Sequence, residues 1–125
     1  MASIGTDRAI TNVVHQQDNT WKFTVEYTAH FDPADRGVSF DDSVKIWEHD
    51  SGGPDQISAY APTESFRAPQ DGSPFHRVKT FTITQEQLST EIGDEQTFAW
   101  IWLRRSGSQG AADAEESTPI WYVDD

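Results

Sequence analysis

The sequence predicts an all-β protein, an antiparallel two-sheet sandwich of about seven short strands, and three observations predict it. Valine and isoleucine together number fifteen against two leucines, and fifteen residues are aromatic, a bias that suits a pleated, half-buried surface better than a helix. Residues 21–31 alternate apolar and polar without a break, the period of a strand with one wet face. Glycine, proline, asparagine and aspartate punctuate the apolar runs at short intervals, as hairpin connections require. A small β-barrel is the alternative closure. The 125 residues make one domain by size, with no cysteine to staple it.

Taken in order, residues 1–8 read as a flexible N-terminus and 9–16 as a modest first strand. In 21–31, Trp21, Phe23, Val25, Tyr27, Ala29 and Phe31 face one side, and Lys22, Thr24, Glu26, Thr28 and His30 the other. Pro33 and the Arg36-Gly37 turn end this strand. Residues 43–50 form a third, with Val44 and Ile46 inward and Lys45, Trp47 and His49 outward; Glu48 falls in the apolar register. Short strands follow at 57–61 and, at an edge, 65–68, separated by a proline-rich excursion. Residues 76–84 return to strand, Phe81 and Ile83 alternating with Thr80, Thr82 and Thr84. The Thr84-Gln85-Glu86-Gln87 capping box, the Leu88 and Ile92 face and a stop at Gly93 predict a short helical turn near 85–92.

The richest apolar run is 95–105, EQTFAWIWLRR. Phe98, Trp100 and Trp102 fall on one side of it and Ala99, Ile101 and Leu103 on the other. A strand apolar on both sides predicts a central position with cover on both faces. Residues 106–118 read as a flexible acidic loop, and 120–123 as the last strand. Trp47 on the third strand resembles the core tryptophan of immunoglobulin-like domains. That resemblance implies a sandwich of the same kind, without its paired cysteines.

Net charge is −12, which argues against nucleic acid and anionic membrane as partners. The start, MASIGTDRAI, has neither a basic n-region nor an apolar h-region, so the sequence as it stands reads as soluble and cytoplasmic. Asp50-Ser51-Gly52-Gly53-Pro54 resembles the nucleophile loop of trypsin-like proteases, and Thr28-Ala29-His30 the segment bearing their histidine. Those enzymes need two barrels to orient the triad, and Gly-Gly serves a hairpin turn without catalysis. A small hydrolase built on Ser51 and His30, or on Glu26 and Glu48, is therefore the weakest reading.

No cofactor is required by any motif. Asp32, Asp35, Asp41 and Asp42, placed together in a loop between the second and third strands, are the candidate ligands should calcium bind. His30 and His49 are placed on polar faces of neighbouring strands. Trp47 and Tyr122 lie opposite the parity of their aliphatic neighbours, and are the aromatics expected to be exposed for contact. These four residues are the candidate contact site. Absence of a catalytic constellation beside an excess of aromatics points to a non-enzymatic module that recognises a protein partner, or assembles with itself as a homo-oligomer, through a sheet face or edge. The alternative is a carbohydrate- or calcium-dependent binding domain using the acidic loops.

Overall fold

The computed structural model describes residues 1–50, 53–60, 62–84, 86 and 95–123. Ten strand segments run β1 (Ser3–Ile4), β2 (Ala9–His15), β3 (Thr20–His30), β4 (Ser39–Asp50), β5 (Gly53–Tyr60), β6 (Glu64–Arg67), β7 (Phe75–Thr84), β8 (Glu95–Arg105), β9 (Ala114–Ser117) and β10 (Trp121–Val123). All pairings are antiparallel, in two sheets. In the first sheet, β3 pairs with β7 along one edge and with β1 and β2, end to end, along the other. In the second, β4 and β8 pair centrally; β5 and β6 share the outer edge of β4, and β9 and β10 share the outer edge of β8. Among the described residues, three shared edges thus gather ten segments into seven strand lines.

Strand β3 forms as its alternation requires. Trp21, Phe23, Val25, Tyr27 and Ala29 are all buried, and no residue between them is. Against them pack Phe40, Val44 and Ile46 of β4, Phe81 and Ile83 of β7, and Ala99, Ile101 and Leu103 of β8. The two inner faces make a single core, which is the sandwich solution for sheets with one apolar side.

Five expectations need correction. The N-terminus is not free: Ile4 pairs with Ala29, and Ala2 and Ile4 are buried. Strand β4 begins at Ser39, so Asp41 and Asp42 belong to a strand and not to a loop. Within residues 106–118, Ala114–Ser117 forms β9 and pairs with Trp100–Leu103. Strand β8 is central in its sheet but its two faces are not equally covered: Ala99, Ile101 and Leu103 are fully buried, while Phe98, Trp100 and Trp102 are half-buried. Trp47 also lies on that outer face, so the residue that suggested an immunoglobulin-like core does not occupy the core. The predicted helical turn near 85–92 lies, apart from the helical Glu86, outside the described residues.

Candidate functional site

Two places gather side chains that the packing of the core does not require. The first is the outer face of the second sheet. Because successive residues alternate across the pleat, the cross-strand register decides which side chains share it. Trp47 lies opposite Phe98, Lys45 opposite Trp100, and Ser43 opposite Trp102. Along the other edge of β8, Ser117 faces Trp100, Glu115 faces Trp102, and Tyr122 faces Gln96. The result is an aromatic strip running from Trp47 across Phe98, Trp100 and Trp102, with Tyr122 at its margin.

Trp47 and Phe98 stack with ring centroids 6.5 Å apart and planes within 7°. The Arg104 guanidinium sits 4.9 Å from the Trp102 ring centroid, a cation–π contact. Tyr122 is 65% exposed, the most open of the five rings. Among the described residues, Trp47 Nε1 and Arg104 Nε are buried without a hydrogen-bond partner. An unmet donor of this kind costs free energy unless something arrives to accept from it.

The second place lies between the sheets. Asp42 on β4 is wholly buried, and Lys79 on β7 is 1% exposed. Lys79 Nζ donates to Asp42 Oδ1 at 2.7 Å and to Glu64 Oε1 on β6 at 2.5 Å. The other Asp42 oxygen, Oδ2, accepts from the Tyr27 hydroxyl at 2.6 Å and from Arg77 Nε at 2.9 Å. Arg77 in turn lies over the Phe66 ring, 4.4 Å from its centroid. Burial pushes the Asp42 carboxyl upward, but hydrogen bonds from Arg77, Lys79 and Tyr27 outweigh it and hold the group below the usual carboxylate range. Burial, then the neighbouring Asp42 charge, drives the Tyr27 phenol far above its ordinary value. Two carboxylates face two cations, and the group is neutral as a whole.

Of the residues singled out from sequence, Trp47 and Tyr122 share the aromatic face. Strands β3 and β4 belong to different sheets, so His30 and His49 do not stand on neighbouring strands. His30 is exposed, and the side chain of His49 lies outside the described residues, as does Ser51. The four aspartates separate. Asp32 contacts the N-terminal ammonium; Asp35 accepts from Arg105 at 2.7 Å and from the Asp32 N–H at 3.0 Å. Asp41 accepts from Ser65 at 2.6 Å and Ser106 at 2.7 Å, and Asp42 belongs to the inter-sheet cluster. Among the described residues, no three His, Asp or Glu side chains are grouped so as to hold a metal ion.

Sequence reading missed the outward Phe98, Trp100 and Trp102, and the whole inter-sheet cluster. Its signal was present: Arg77 and Lys79 share the parity of Phe81 and Ile83, and Asp42 shares that of Val44 and Ile46. Charges of opposite sign in the apolar register of two strands are the trace of a buried pair.

No family model matches the chain, and no curated protein matches it in sequence. Its fold is similar to that of a bacterial adhesin from Mobiluncus mulieris containing intramolecular disulfide, isopeptide and ester bond cross-links. The TM-score is 0.72 at 10% identity, covering 98% of this chain and 57% of the adhesin chain. A second crystal form of that adhesin gives 0.59 at 12% identity, covering 94% and 49%. The chain therefore spans about half the length of the adhesin chains it matches. The N-terminal domain of PorA overlaps at a TM-score of 0.43, with 13% identity over 92% of this chain and 84% of that one.

Proposed function

We propose that this chain is a non-enzymatic binding module that recognises a protein partner through the outer aromatic face of its second sheet. The observation that carries this reading is the row Trp47, Phe98, Trp100, Trp102 and Tyr122, aromatic side chains that the cross-strand register brings to one outer sheet face, the first four half-buried and Tyr122 exposed. Aromatic and arginine side chains at the centre of a contact supply most of its energy. Their open surface is on the order of 300 Å², enough for the apolar centre of an interface that needs about 800 Å² per partner. The rim supplies the remainder, and with a net charge of −12 it favours a basic partner over a second copy of this acidic chain. Likeness to an adhesin fold supports a module of this class and, with it, an extracellular location.

Display selection of peptides against the intact chain tests the reading, with counter-selection on the Trp102→Ser/Tyr122→Ser variant. Enriched peptides are expected to combine aromatic with Lys or Arg residues, to bind more weakly at high salt, and to lose binding to the variant. Binders indifferent to the variant would refute the assigned face. Concentration-dependent sedimentation of the wild type that disappears in the variant would replace a heterologous partner by self-assembly, and binding of oligosaccharides alone would make the face a sugar platform.

A further inference from the structure

We propose that the inter-sheet cluster is a self-condensing site, in which Lys79 and Asp42 form an intramolecular isopeptide bond with Glu64 as the proton-transfer group. A buried lysine paired to a buried aspartate is a costly way to hold two sheets together, because both ions lose their hydration. Condensation removes both charges from the core. Lys79 Nζ lies 2.7 Å from Asp42 Oδ1 in a hydrogen bond, and with the C–O bond length and an angle of at least 90° at the oxygen this puts it about 3–4 Å from Cγ, close to the range of a near-attack geometry. Both side chains are enclosed, so bulk water does not compete for the carbonyl carbon.

Each partner of the pair has a place in the step. A proton passes from the Lys79 ammonium to Asp42 Oδ1 along their hydrogen bond, leaving a neutral amine and a carboxylic acid. The amine lone pair attacks Cγ, and the electron pair of the C=O bond moves onto Oδ2. There the Tyr27 hydroxyl at 2.6 Å and Arg77 Nε at 2.9 Å form a preorganised donor pair for the developing charge. Glu64 Oε1, 2.5 Å from Nζ, takes one proton from the nitrogen and delivers it to the Oδ1 hydroxyl. The Cγ–Oδ1 bond breaks, water leaves, and Oδ2 becomes the amide carbonyl oxygen. One carboxylate and one ammonium give one amide and one water, with no oxidant, metal or cofactor. Glu64 is 55% exposed, which opens a route for the departing water. Arg77 opposes the first proton transfer by favouring the carboxylate and assists the attack by holding Oδ2. The product ties β4 of one sheet to β7 of the other.

Intact-mass spectrometry of the full chain tests this directly. The expected mass is that of the sequence less one water, and a proteolytic digest is expected to yield a branched peptide joining the segments that contain Asp42 and Lys79. Lys79→Arg, which keeps the charge, is expected to restore the full mass; Glu64→Gln is expected to keep the fold by circular dichroism and to condense more slowly or not at all. Wild-type protein that stays at full mass after prolonged incubation overturns the proposal. So does a water loss mapped elsewhere, such as a succinimide at Asp71-Gly72.

Discussion

Ile101 and Trp100 are neighbours on β8 with opposite environments, and truncating each to alanine measures which face of the second sheet bears the fold. Ile101 is fully buried, pairs with Val44 across the sheet, and belongs to the continuous core. Its replacement by alanine removes buried carbons from a position without access to water, and is expected to cost about 3 kcal/mol, within the usual 2–5 kcal/mol for such a change. Trp100 is the larger residue, but it is half-buried on the outer face. A fully enclosed tryptophan would cost about 3–5 kcal/mol; with one side already wet, about half of that is expected. For a chain of this size 1 kcal/mol corresponds to roughly 4 °C in Tm, so Ile101→Ala should melt about 12 °C below the wild type, and Trp100→Ala about 6–10 °C below it. Urea unfolding followed by far-ultraviolet circular dichroism reads the same difference as a midpoint shift at constant slope, without dependence on tryptophan emission. A Trp100→Ala variant as damaged as Ile101→Ala would mean that the outer face is a second core, and would refute both the burial argument and the contact face built on it.

Three further outcomes follow from the geometry. The Ser106 and Ser65 hydroxyls hold the Asp41 carboxyl below its ordinary range, and the Thr28 hydroxyl does the same for Asp7. Below the unfolded value the unfolded chain binds more protons, so stability is complete above about pH 4 and declines as pH falls through the depressed folded values; Asp41→Asn should flatten this decline in acid titrations of Tm. Gly37 has φ +70°, and a Cβ there would collide with the Gln70 side chain, whereas Gly107 has φ +80° with open space around it. Gly107→Ala should then cost about 1–2 kcal/mol from the left-handed backbone alone, and Gly37→Ala more, as measured by chemical denaturation. Added Ca²⁺ should leave Tm unmoved, since Asp32, Asp35, Asp41 and Asp42 are each engaged by protein donors and do not converge; a Tm that climbs with calcium concentration would show that they regroup around the ion.

Strands with one apolar face were legible because alternation is written locally. Strand β3 pairs, buries and exposes its residues in the order its sequence dictates, and the central place of β8 follows from its apolar length. Strands β1 and β9 were not legible. Ser3–Ile4 and Ala114–Ser117 are short and carry little alternation of their own; they are strands because β3 and β8 offer unpaired backbone donors and acceptors at that point. The contact face was half legible. Trp47 and Tyr122 stood out by parity, but whether Phe98, Trp100 and Trp102 meet a second layer depends on what packs over β8, and no local pattern encodes that.

By itself, then, the amino-acid order determined a two-layer antiparallel sandwich, the strand whose one face lies wholly in its core, and a strongly acidic composition, because these depend on side-chain period and summed charge. Tertiary structure alone decided that Asp42, Glu64 and Lys79 meet and that five aromatic rings share one outer face. Asp42 and Lys79 are 37 residues apart in the chain, and only the docking of one sheet on the other brings a carboxylate and an amine within bonding reach.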